Sequence, residues 1–234
     1  MSLKLVFQRL VMLVLGGSGL IWGLLVLPTS DTSDDLRYME AQLLQSETFD
    51  SKALAVELSN PSADAISPCD SSSQTALLLM EMRVAQTALR AGAVDDFDRH
   101  ANSLETRSKQ TLSCAPRDSL VWLVAFSLKI LHGQPDQQAL DLLEMSYETS
   151  PNEAWIGIRR IIAAMPVLAL LSQPLQEKVL AEFGQLARGG FAYEAARSYA
   201  GASTSTRPLL LDRIQRLDAR EQKLFWDEVE KIQS

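Results

Sequence analysis

The sequence holds only two histidines and two cysteines in 234 residues. Metal binding would want more ligands than these, with His100 and His132 far apart in sequence, and a redox centre would want a closer spacing such as Cys-x-x-Cys, so both are disfavoured. Motifs for nucleophilic or phosphate chemistry are missing too: there is no Gly-x-Ser-x-Gly elbow, no phosphate-cradling glycine loop and no His-Glu-x-x-His. Clustered basic residues are also absent. With 22 Lys and Arg against 29 Asp and Glu, the net charge of −7 excludes nucleic acid as a partner. No stretch alternates apolar and polar residues at the period of a strand. An enzyme is therefore not expected, and neither is a cofactor, a metal or a catalytic residue.

Charge is also lacking in one block, Leu10 to Leu27. Eighteen residues of helix at 1.5 Å each reach about 27 Å, near the thickness of a bilayer core, so the block predicts a membrane anchor that contacts lipid. It exceeds a signal-peptide core in length, and Leu27-Pro28-Thr29 is a poor cleavage site. Lys4 and Arg9 precede the block and all 29 acidic residues follow it. The positive-inside bias then predicts a single-pass protein of a bacterial inner membrane, with a cytoplasmic tail (1–9), an anchor (10–27), a solvated spacer (28–35) and a periplasmic domain (36–234). Gly19 and Gly23 have a spacing that permits a close homodimer contact, although glycine is common in membrane helices.

What is present beyond residue 35 is helical periodicity, so an all-α fold is predicted. Its centre is 118–160. Leu120, Val121, Leu123, Val124, Phe126, Leu128 and Leu131 place apolar groups on every face of one helix, which must be enclosed. Gly133 and Pro135 suit a helix end and the first turn of the next helix. In the next run Ala139, Leu142, Leu143, Ser146 and Tyr147 form a single buried stripe. Ser150, Pro151 and Glu153 read as a capping box with proline at the first helical position, and Asp218 with Glu221 as a second box. Pro166 must kink or restart a helix. Upstream, Leu36, Met39, Leu43 and Leu44, then Leu54, Ala55 and Leu58, predict a small helical pair. The chain should end in a hairpin that closes a stack of helical hairpins.

Cys69 and Cys114 are expected to pair in an oxidising compartment, across a hairpin over 76–111 that turns at Ala91–Ala93. Candidate partner-binding residues are Trp155, Arg159 and Arg160, the arginines as ligands for an acidic sugar or a carboxylate. The commoner role of such a pair is in ion pairs between stacked helices. Glu153, beside Trp155, is the one carboxylate worth testing for glycan cleavage, although capping is the simpler account.

With Pro151 aligned to the proline that ends a tetratricopeptide repeat, Ala139 falls on the small residue of its second helix, Leu143 on the large one and Ser146 on the second small one. The hairpin thus resembles a diverged tetratricopeptide repeat, Ser127 and Ile130 replacing the glycine and tyrosine of its first helix. The resemblance implies an α-solenoid that acts by binding other proteins. More broadly, Ser67-Pro68-Cys69, Cys114 with Pro116, and the stretch from Ser150 through Trp155 to Arg159-Arg160 are similar to single-pass bacterial membrane proteins that accompany surface-polysaccharide synthesis and export. That similarity implies a scaffold in an envelope assembly. A tethered chaperone or cytochrome-maturation factor and a glycan-processing enzyme are the alternatives.

Overall fold

A computed structural model describes residues 11–23, 36, 39, 50–133, 135–151 and 153–233. Among these residues the regular structure is entirely helical. The elements are α1 (Ser51–Leu58), α2 (Pro61–Asp64), α3 (Ser71–Ala91), α4 (Val94–Cys114), α5 (Ser119–Leu131), α6 (Gln137–Thr149), α7 (Ala154–Ala164), a 3-10 segment (Met165–Leu170), α8 (Gln173–Arg188), α9 (Ala192–Gly201), α10 (Arg207–Gln215) and α11 (Ala219–Gln233).

The anchor expected at Leu10–Leu27 requires correction. Residues 11–23 are helical, and this described part measures about 20 Å against the roughly 30 Å of a hydrocarbon core. Among the described residues no helix is long and apolar enough to cross a membrane. The single-pass placement with a cytoplasmic N-terminus and a periplasmic domain falls with the anchor. Leu10 and residues 24–27 lie outside the described residues, as do the tail 1–9, the spacer 28–35, Leu43 and Leu44. Gly19 and Gly23 have no neighbouring atom within 4 Å of where a side chain would start.

Short polar side chains start the helices. Asp70, Asp118, Asp136 and Ser172 each accept a hydrogen bond from a first-turn amide of α3, α5, α6 and α8, satisfying donors that the helix cannot pair internally. Gly92 and Gly133, both at φ +70°, reverse the chain after α3 and α5, where a side chain would be strained. Asp218 and Glu221 form the reciprocal box expected of them: the Glu221 amide donates to Asp218 Oδ1 at 2.8 Å and the Asp218 amide to Glu221 Oε2 at 3.1 Å. The box expected at Ser150 is displaced. Helix α7 starts at Ala154 rather than Pro151, and the Ser150 hydroxyl donates to the Glu153 carboxylate at 2.6 Å instead of accepting a backbone amide.

These boundaries set the packing. Helix α3 lies against α4, α5 against α6 and α7 against α8, while α4 also touches α5, α3 touches α5 and α5 touches α7. No residue of α5 is exposed, because neighbours cover it from α3 through α7, so the all-round apolar sequence is accommodated. A main core runs from Leu78 in α3 to Val229 in α11. A smaller one gathers Leu36, Leu54, Ala63, Leu77 and Met80 under α1 and α2. After α7 the chain tightens into the 3-10 segment at Pro166, since proline cannot donate to the preceding turn. Downstream, α9 packs on α8 and α11, and α10 on α8.

Cys69 and Cys114 are joined by a disulfide with Cα atoms 5.2 Å apart. The bond ties the segment before α3 to the last residue of α4, as the hairpin reading required. Beside it the Ser71 hydroxyl donates to Asp118 Oδ2 at 2.8 Å, so the residue that caps α5 also holds the start of α3.

Candidate functional site

Among the described residues, polar side chains gather at a buried junction and along an open groove. The junction forms around Arg160, whose side chain is fully buried. Its Nε lies 3.2 Å from both carboxylate oxygens of Glu182 and its Nη2 donates to Glu182 Oε1 at 2.5 Å. Its Nη1 donates to the carbonyls of Ser146 and Ser150 at 2.9 Å and to Ser119 Oγ at 3.3 Å. Tyr147 completes the set, its ring centroid 4.4 Å from the guanidinium and its hydroxyl donating to Glu182 Oε2 at 2.7 Å. A planar fork with five donors suits such a set better than an ammonium would. The residues come from α5, α6, α7 and α8, so one cation fastens two consecutive hairpins.

The sequence makes room for this pair at Gly157. A Cβ there would stand 2.8 Å from Glu182 Oε1, closer than two such atoms can approach, and that oxygen is held by Arg160. Gly157→Ala therefore destabilises by about 1–3 kcal/mol, overpacking outweighing the roughly 1 kcal/mol gained in helix propensity. Gly184→Ala is the contrast. Its nearest neighbour would be Arg213 Cβ at an ordinary 3.8 Å, so it stabilises by up to about 1 kcal/mol. Urea unfolding of both variants checks the opposite signs.

Burial raises the Tyr147 hydroxyl well above its ordinary 10.0, and the Glu182 carboxylate adds to the shift. A raised pKa means that the fold favours the protonated form, so this contribution is complete below pH 10 and is lost as pH climbs above it. Tyr147→Phe loses a hydrogen bond worth about 1–2 kcal/mol at neutral pH. The gap between wild type and variant should then close above pH 10, as chemical denaturation between pH 7 and 11 would show.

The groove lies between the end of α7 with its 3-10 extension and the α9–α10 connection. It encloses about 520 Å3, within the range of ligand sites. Its lining joins apolar Ile162, Met165, Pro166 and Ala169 to polar Arg197, Ser198, Ser203, Ser205 and Thr206. Ser203 donates to Thr206 Oγ1 at 2.9 Å and lies 2.9 Å from Ser205 Oγ. A hydroxyl has one proton, so the chain runs from Ser205 to Ser203 to Thr206 and leaves the Thr206 proton at its end. Thr206 is 6% exposed.

Of the residues singled out from sequence, Arg160 is in the core, where it makes the ion pair between helices. Trp155 and Arg159 are half-buried on α7. Arg159 donates to the Trp155 carbonyl at 2.9 Å and its guanidinium lies 5.8 Å from the indole centroid, a stack one helical turn long. Glu153 is exposed and held by Ser150. None of these lines the groove. Comparison with protein-family models, with curated proteins and with solved structures finds no significant match to this chain. The groove residues carry one sequence signal that went unread, the run of small hydroxyl residues from Ser203 to Thr206 between Gly201 and Pro208. In sequence that run reads as an ordinary loop.

Proposed function

We propose that the chain is a helical-repeat interaction protein that holds an assembly together by contact. The observation that carries this reading is the order of packing: α3–α4, α5–α6 and α7–α8 are successive hairpins, and the first helix of each touches the first helix of the next. A tetratricopeptide-like solenoid is built this way, each repeat burying a face that it cannot bury alone. The strongest polar cluster supports the same reading, since Arg160, Glu182 and Tyr147 spend their hydrogen-bonding capacity on one another and on the backbone. Among the described residues the groove lining includes no Asp or Glu, which disfavours acid-base chemistry there.

The similarity of the stretches around Cys69, Cys114 and 150–160 supports an assembly that makes or exports surface polysaccharide. A structural disulfide is in keeping with folding in oxidising surroundings. Crosslinking of the full chain in cells, followed by affinity recovery and mass spectrometry, tests the reading. Components of polysaccharide polymerisation, ligation or export should be enriched. Recovery of translocon or haem-maturation proteins would move the assignment to another assembly, and a chain with no reproducible partner would overturn it.

A further inference from the structure

We infer that the helix over residues 11–23 docks on an anionic lipid surface, lying along one leaflet without crossing it. This contact is independent of any partner of the helix stack. What carries it is an uncharged helix with no protein against it. Met12 and Leu13 are each 75% exposed, Leu20 70% and Trp22 71%. At Gly16, Gly17, Gly19 and Gly23 nothing stands within 4 Å of where a side chain would begin, so among the described residues no element covers the glycine positions either. An exposed apolar surface of this extent marks contact with protein or lipid.

Charge selects lipid. Lys4 and Arg9 precede the helix and the first carboxylate of the chain is Asp31, so this flank is positive in a chain whose net charge is −7. Anionic headgroups attract such a flank. Polar satisfaction points the same way. The Ser18 hydroxyl, the one polar side chain from Val11 to Gly23 apart from the indole of Trp22, donates to the Leu15 carbonyl at 2.9 Å. Hydrocarbon holds no water to take its place. Trp22 stands at the far end of the described helix from Arg9, and its amphipathic ring suits the headgroup level. Both flanks therefore seek the interface, and among the described residues no helix is long and apolar enough to cross a membrane. The spacing sets the roll of the helix: Gly16, Gly19 and Gly23 fall on one side, Val11, Val14 and Ile21 on the other. The bulky side meets acyl chains while the lean side leaves its backbone toward the headgroups.

The test is co-sedimentation of the full chain with vesicles of equal parts phosphatidylcholine and phosphatidylglycerol, compared with phosphatidylcholine alone. The mixed vesicles should bind more tightly, and added salt should weaken them. Ile21→Asp should lower the partition at least about tenfold, since a carboxylate is costly among acyl chains. Ile21 is exposed, so this variant should keep the thermal midpoint of wild type. Lys4→Gln and Arg9→Gln should each cost about fivefold on the mixed vesicles and little on the neutral ones. Trp22 emission, taken as the difference between wild type and Trp22→Phe, should move to shorter wavelength as vesicles are added. A monomeric chain that binds neither vesicle would overturn the inference, as would binding that Ile21→Asp leaves unchanged or equal binding to both vesicles. A concentration-dependent dimer that Ile21→Asp dissolves, without vesicle binding, would give the helix to a second copy and overturn it equally.

Discussion

Replacing Arg160 with methionine should lower the free energy of unfolding by about 3–5 kcal/mol, the cost of leaving a buried charge partner unmatched. The loss has two parts. Glu182, whose side chain is 9% exposed, is left facing an apolar group, and the carbonyls of Ser146 and Ser150 lose the donor they share. Glu182→Met strands the guanidinium instead and should cost as much. The double variant is the informative member, because removing both charges removes the desolvation penalty along with the attraction. It should unfold at a higher urea concentration than either single variant, with a coupling energy of at least about 1 kcal/mol in the cycle. Single variants within 0.5 kcal/mol of wild type would show that the junction contributes little net stability.

Substituting serine for Cys69 and Cys114 together should lower stability by about 4 kcal/mol, the chain-entropy value for a loop of this size. The two cysteines are 45 residues apart in sequence, so the unfolded chain regains considerable freedom once the bond is gone. Both are exposed, and the substitution creates no cavity in the core. Two outcomes distinguish the mechanism. A fall in the urea midpoint at unchanged m-value assigns the effect to stability alone, whereas a raised m-value shows that the bonded chain is more compact when unfolded. Oxidised and reduced wild type should differ by the same amount, and no difference in either comparison would refute the assignment.

The elements were legible where local chemistry decides them. Asp118, Gly133 and Asp218 cap or terminate helices through contacts a few residues away, and the enclosed α5 declares itself by apolar residues on every face. The cysteine pairing was readable because few other arrangements exist with two residues. Arg160 was harder. Its four-residue spacing from Ile156 and Ala164 places it on the buried stripe of α7, but its partner stands 22 residues away on α8, and sequence does not say which of many carboxylates faces inward. The groove was harder still, because its lining comes from the end of α7 with the 3-10 segment and from α9 with the loop after it, stretches distant in sequence. At the N-terminus apolar composition misled. A count of uncharged residues from Leu10 to Leu27 predicts a spanning helix, whereas among the described residues no helix is long and apolar enough to cross a membrane.

The bond between Cys69 and Cys114 makes a closed covalent ring of α3, the Gly92 turn and α4, with the rest of the polypeptide as two tails. A protease that cuts at Gly92, which is exposed, opens the ring without separating its ends. The nicked molecule should run as one species until a reductant is added and as two afterwards. Damage at the exposed bend of the hairpin thus leaves the two halves of the molecule tethered, with the α5 helix still beside the pair it rests on.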